Sequence, residues 1–288
     1  MSLDAARSRH GLPFKKLVTA TLEHSTLAIT AAVSILPLYL MLIASLEGQS
    51  TFRGESLFPT GELSLDNYVT AITSLGFGSM AINTTMLSLS ASLLAVTCAT
   101  AAAFGLISML GRQSGWALAA ILSLMTIPPV VLVIPLFLFM VDLGWINSYQ
   151  SAILVEAGII IPFDTFLIYT FMKRIPAELL EAAKVDGAPL VRQFRSIVVP
   201  LARPAIVTAL IVSVVVVWND LLIPLIFWPS DRLKTLMVGL ALLGPGRSGL
   251  RDVPLLMAGV AISIIPLFVL YLVSRRALVR GLVQGSGK

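Results

Sequence analysis

Six apolar runs, each near the roughly 20 residues a helix needs to cross a bilayer, alternate with polar segments along the 288-residue chain. They cover about 25–46, 79–109, 115–141, 150–172, 204–228 and 253–274. The second is rich in Ala, Ser and Thr, and the third contains Pro128-Pro129 and Pro135. The pattern predicts an all-α, polytopic membrane protein with six spans. The first run is too long for the core of a signal peptide, so no cleaved leader is expected. Three connecting segments are long: 47–78, 173–203 and 229–252.

Composition agrees with this reading. The chain is 57% hydrophobic and 12% charged, against about a quarter charged in an ordinary soluble domain. The lone Cys98 excludes a disulfide framework, and with only His10 and His24 a His- or Cys-ligated metal centre is not expected. Lys and Arg gather on the cytoplasmic side of membrane proteins. With the N-terminus inside, fifteen bases fall inside and five outside. Both termini are therefore expected in the cytoplasm, as a tail at 1–24 and a tail at 275–288, with 47–78 external. Four of the five outer bases, Arg232, Lys234, Arg247 and Arg251, share the segment 229–252. The net charge of +5 follows from this topology and does not call for a nucleic-acid partner.

The inner segment 173–203 is patterned. Pro176 suits the start of a helix, and Glu178 falls in its first turn, where a carboxylate complements the dipole. Leu179, Leu180, Ala182 and Ala183 propagate the helix, and Gly187 offers a left-handed stop. Pro189 opens a second short helix, in which Phe194, Ile197 and Val198 are apolar while Arg192 and Arg195 face water. Pro200 and Pro204 are expected to close it before the fifth span. The product is an amphipathic elbow at the membrane surface.

That elbow carries Glu181-Ala182-Ala183, three residues, Gly187, nine residues, Ile197, and Pro200, with Asp186 and Ala188 around the glycine. The pattern resembles the EAA loop of permease subunits of binding-protein-dependent ABC importers; Val199 stands where Leu is usual. Trp218-Asn219-Asp220, the stretch 235–240 and the Gly-containing end at 281–288 resemble the carbohydrate-uptake, maltose-permease-like branch. The resemblance extends over about 79–288. It implies a type I ABC importer permease fold with a transmembrane core at 79–274. It implies a non-enzymatic subunit that translocates a sugar or oligosaccharide in a bacterial cytoplasmic membrane. The expected partners are a second permease subunit, two cytoplasmic ATPase subunits that bind ATP and Mg, and an extracytoplasmic solute-binding protein. No cofactor is expected in this chain: the end GLVQGSGK lacks the spacing of a phosphate-binding loop.

The resemblance also implies roles. Glu181, Ala182, Ala183, Asp186 and Gly187 would form the coupling contact with an ATPase, with Phe194 in the second helix and Glu178, Arg192 and Arg195 at the rim. Within or beside the spans, Asn83, Glu156, Asp164, Trp218, Asn219 and Asp220 are candidates for the translocation path, since polar groups at membrane depth are costly and tend to be functional. The alternative use is internal hydrogen bonding, which Asn83 and Glu156 favour. Arg232, Lys234, Arg247 and Arg251 form a candidate docking patch for an acidic binding protein, or an attractor for an anionic saccharide, polyol or glycerol phosphate. A remoter alternative is an ion-coupled carrier with Asp164 and Glu156 as a relay. An intramembrane enzyme is not supported by any His/Cys/Ser constellation.

Overall fold

The computed structural model describes residues 12–48, 52, 58–59, 61–109, 112–243 and 252–286. Among these the helices are α1 (Leu12–Leu46), α2 (Asp66–Thr73), α3 (Phe77–Ser108), α4 (Arg112–Leu124), α5 (Pro129–Asp142) and α6 (Tyr149–Met172). Then come α7 (Ala177–Val185), α8 (Leu190–Gln193), a π-helical turn (Phe194–Val198), α9 (Val199–Trp218), α10 (Leu222–Phe227), α11 (Leu236–Leu242) and α12 (Val253–Ser286). Five helical stretches have the length and apolarity of a span, and the bent pair α4–α5 makes a sixth.

The chain divides into two compact units. One comprises residues up to Thr70 together with Asp252–Ala261. In it the end of α1 is tied to the following segment: Asn67 donates its amide to the Ser45 and Glu47 carbonyls at 2.9 and 2.8 Å, and the Ser45 and Tyr68 hydroxyls lie 2.7 Å apart. Glu47 and Leu63 form an isolated antiparallel bridge.

The other unit, Ala71–Arg251 with Ile262–Lys288, is built on α3, α6 and α9. Ala91, Ala95, Ala99 and Ala103 recur every fourth residue of α3 and are fully buried. Spacing of four returns to the same helix face, and small side chains such as a methyl let two backbones approach closely in a membrane. Ala102, beside this stripe, is only half-buried. At one end of this seam Leu87, Val155, Val217 and Ile223 pack together, and at the other Leu106, Ile168, Met172 and Val198.

Several boundaries differ from those read off the sequence. The first helix begins at Leu12, inside the stretch assigned to a tail at 1–24, and its apolar span is Thr21–Leu46. The segment 47–78 contains α2 and the start of α3. The third span is broken: α4 and α5 meet at 87° across 125–128. Pro128 and Pro129 both lack an N–H, and Pro128 is extended (φ −59°, ψ 131°) with Pro129 opening α5, so the ladder stops and restarts there. The fifth span starts at Leu190 rather than 204 and ends at Trp218, with α10 a separate short helix. Pro200 and Pro204 do not interrupt it. The π turn before them has Val199 N–H bonded to the Phe194 carbonyl, five residues back; its wider ring relieves the clash of a proline with the preceding turn. The second half of the elbow is thus the first two turns of a membrane helix.

Two substitutions test this packing. Ala95→Leu should lower unfolding stability by about 1–3 kcal/mol, the usual cost of overpacking a close contact, while changes at the exposed neighbour Leu93 should stay within about 0.5 kcal/mol. Thermal unfolding of the purified assembly in detergent checks both; an Ala95→Leu protein as stable as the parent would contradict a tight α3 seam.

Candidate coupling elbow and buried polar groups

α7 ends in a paired set of hydrogen bonds, Ala188 N–H to the Ala183 carbonyl at 2.9 Å and Gly187 N–H to the Lys184 carbonyl at 3.0 Å. This is the six-to-one, five-to-two closure that needs a left-handed residue at the corner, and Gly187 has φ 73°. A Cβ at Gly187 would meet nothing within 4 Å. Within the chain the glycine is therefore required by backbone conformation, as the left-handed stop that the sequence predicts.

The elbow has two faces. Inward, Ala183 is buried, and Gln193 is buried with its Nε2 donating to the Ala188 carbonyl at 2.7 Å, which pins the corner to the second helix. Phe194 is half-buried, with its ring 5.1 Å from that of Phe104 on α3. Ala183 and Phe194, read as coupling contacts, thus face their own bundle. Gln193 was missed because an amide in a polar stretch carries no sequence signal of burial. Outward, Glu178, Glu181, Ala182, Lys184, Asp186, Arg192 and Arg195 are exposed. Among them stand Leu179, Val185, Leu190 and Val191, exposed by 45%, 88%, 57% and 66%. An apolar cluster with a charged rim is the composition of a protein-docking surface.

The polar groups of the spans sort differently. Asn83, on α3, is buried and donates its amide to the Arg232 and Lys234 carbonyls at 2.8 and 3.0 Å. Next to it the Thr84 hydroxyl accepts from Leu236 N–H at 2.9 Å. Together they fasten 232–236 onto α3. Asp164 is fully buried, and the Ser213 hydroxyl on α9 donates to its two oxygens at 2.8 and 2.9 Å. Glu156 is buried, and its Oε1 has no hydrogen-bond partner. Trp218 is buried, whereas Asn219 is exposed and donates to the Val215 carbonyl at 2.7 Å. Asp220 is half-buried and its Oδ1 accepts Ile223 N–H at 2.8 Å, which starts α10. Asn83 and Asp164 thus serve as internal ties, and Asn219 is the polar group of this set that is exposed.

An apolar cavity of about 580 Å³ lies between the α4–α5 break, α6 and α9. Leu136, Phe139, Ile159, Phe163 and Val216 line it, with the Ser213 hydroxyl among its few polar atoms. Such a wall offers little to sugar hydroxyls, which need paired donors and acceptors once desolvated.

Of the basic patch, Arg232 is exposed, and Lys234 pairs with Asp231. Hydrogen bonding to the Lys234 ammonium, with its charge, holds the exposed Asp231 carboxyl below the usual carboxylate range. Arg247 and Arg251 lie outside the described residues. Among the described residues no group of three or more His, Cys, Asp or Glu is placed to hold a metal ion.

Residues 95–284 match the family described as binding-protein-dependent transport system inner membrane component. Over 262 residues the chain is 30% identical to the melibiose/raffinose/stachyose import permease protein MelC of Bacillus subtilis (strain 168), covering 91% of this chain and 94% of that one. It is 27% identical to the trehalose/maltose transport system permease protein MalG of Thermococcus litoralis, over 90% of this chain and 94% of that one. Its fold is similar to that of a chain in the crystal structure of a bacterial ABC transporter involved in the import of the acidic polysaccharide alginate, with a TM-score of 0.66 at 17% identity over 92% of this chain and 97% of that one. The six apolar spans, the elbow between the fourth and fifth, and the family match across residues 95–284 lead to one assignment: the chain belongs to the family of binding-protein-dependent transport system inner membrane components, as a multi-pass permease subunit of an ABC importer.

Proposed function

We propose that this chain is one half of the permease pair of an ATP-driven importer that carries a sugar or oligosaccharide. A solute-binding protein delivers the solute at the outer face, and two ATPase subunits work at the inner face, with both termini of this chain on their side. The relatives named for melibiose, raffinose, stachyose, trehalose and maltose support a carbohydrate cargo.

The observation that carries the mechanical part of the reading is Val185, an aliphatic side chain 88% exposed at the tip of the elbow. With the exposed Leu179, Leu190 and Val191 of the same elbow it offers an apolar knob to a partner, and the exposed Glu181 offers a charge-assisted hydrogen bond. ATP-driven closure of the ATPases would move this knob. Because the same segment continues through the π turn into α9, the movement would pass directly to a spanning helix. ATP binding would thus bias a two-state bundle through contacts that differ between its states.

A second reading of the cargo has its own support. A relative named as the sulfoquinovosyl glycerol transport system permease protein SmoH of Agrobacterium fabrum is 29% identical over 256 residues, and Arg232 stands exposed in the segment assigned to the outside. An anionic saccharide is therefore the alternative; polyol and glycerol phosphate cargoes have no comparable observation behind them. Asn219 is the side chain we assign to the solute path. Arg232, with the flanking bases, is assigned to docking of the binding protein.

Two measurements test this reading. In the reconstituted transporter, Val185→Asp or Glu181→Arg should lower transport-coupled ATP turnover at least about tenfold, the equivalent of about 1.4 kcal/mol of lost contact, with thermal unfolding unchanged because both side chains are exposed. Unaltered coupled turnover in both variants would refute the coupling role. Thermal-shift screening of the cognate binding protein should give a rise with a neutral oligosaccharide. A rise confined to uronate or sulfonate sugars would select the anionic reading.

A further inference from the structure

A second cavity, of about 230 Å³, opens where the ends of α3 and α6 meet the starts of α4 and α7. With 173–203 at the inner face, as proposed, it lies at the cytoplasmic surface of the bilayer, at the root of the elbow. The charged side chain in its wall is the exposed Lys173, and no acidic residue lines it. On α7 the lining residues are Ala177 and Leu180, three positions apart on one helix face, so Glu178 and Glu181 stand off that face. Tyr169 also lines the cavity and is only 9% exposed. Neither its hydroxyl nor the Lys173 ammonium has a hydrogen-bond or ion-pair partner among the described residues. A buried hydroxyl without a partner is costly, and here it stands in the same small cavity as a cation.

The backbone adds to this preference for an anion. Pro176 caps α7 without a side-chain bond, so first-turn N–H groups remain on offer at the end of the helix where negative charge is favoured. The opposing carbonyls at the end of α6 are already occupied: those of Tyr169, Phe171 and Met172 accept from Lys173, Arg174 and Ile175 N–H. Depth is marked by Trp116, two residues after the lining residue Ser114 on α4 and 74% exposed. An exposed indole at the end of a span belongs at headgroup level. The remaining wall is apolar, with Ile107, Met109, Ile175 and Leu180. A cation and a free donor beside an apolar wall, between spans on the cytoplasmic side, match a phospholipid rather than a protein side chain. We propose that this cavity binds an anionic phospholipid of the inner leaflet. Its phosphate is held by the Lys173 ammonium and the Tyr169 hydroxyl, and its glycerol and upper acyl carbons lie on the apolar wall. The lipid ties the end of α6 to the first turn of α7 and so stiffens the root of the elbow. Soluble phosphate offers the same oxygens without the apolar part and is held less firmly.

The test is native mass spectrometry of the purified, delipidated transporter with its partner subunits, titrated with phosphatidylglycerol or with phosphatidylcholine. The parent should retain phosphatidylglycerol the more tightly. Lys173→Gln and Tyr169→Phe should each weaken that retention about tenfold, the loss expected for one hydrogen bond to a charged group. Arg275→Gln, which removes an exposed base at the inner end of α12, should leave it unchanged, and added glycerol phosphate should not displace the lipid. Tyr169→Phe keeps the ring and therefore the packing of α6, so it reads out the hydroxyl alone. Parental retention in either cavity variant overturns the proposal. So does an equal loss in Arg275→Gln, which would reduce the effect to net charge, or displacement by glycerol phosphate, which would make the site one for soluble phosphate. Retention is measured without nucleotide, so its failure is distinct from a failure of the elbow to couple to the ATPases.

Discussion

Close contact along the α3 seam is the constraint on which the remainder of the main unit depends. Hydrocarbon gives helices no hydrophobic reason to associate, because lipid tails are as apolar as leucine. What holds α3, α6 and α9 together is dispersion over many atom pairs, and these pairs form only because Ala91, Ala95, Ala99 and Ala103 let the backbones approach. Polar ties add direction rather than bulk. Asn83 and Thr84 fasten the segment at 232–236, and Ser213 to Asp164 fixes α9 against α6.

This seam makes the elbow useful. A coupling element must transmit displacement, so its inner side must be rigid and its outer side must offer a grip. Ala183, Gln193 and Phe194 provide the first. Phe194 packs on Phe104 of the seam helix α3, and the Gln193 amide locks the Gly187 corner. Leu179, Val185, Leu190 and Val191 provide the second. The π turn at Phe194–Val198 lets a proline-bearing segment run into α9 without a hinge, so pushing on the elbow is pushing on a span.

How much of this was legible in the sequence varied by element. Apolar runs located five of the spans to within several residues at most ends, because length and hydropathy are local properties. The elbow was legible for the same reason: Pro176, Glu178 and Gly187 each have a local backbone meaning, and the helix, corner and helix follow. The broken third span was visible only as a proline pair, since the 87° angle is set by packing. The fifth span was placed too late along the chain because prolines were read as breaks, and the π turn that accommodates them has no composition of its own. Of the polar candidates, which one faces outward could not be read: Asn83 and Asn219 are alike in sequence, and tertiary partners alone make one a tie and leave the other exposed.

The central claim is that the outer face of the elbow is covered by another protein and moves with it. A single-particle reconstruction of the assembled transporter tests this directly. Val185 and Leu190 should be buried in a cleft of an ATPase subunit, with Glu181 at its edge and α9 displaced together with the elbow between nucleotide-free and ATP-bound states. A reconstruction in which Val185 and Leu190 face only solvent or lipid in both states would contradict the account.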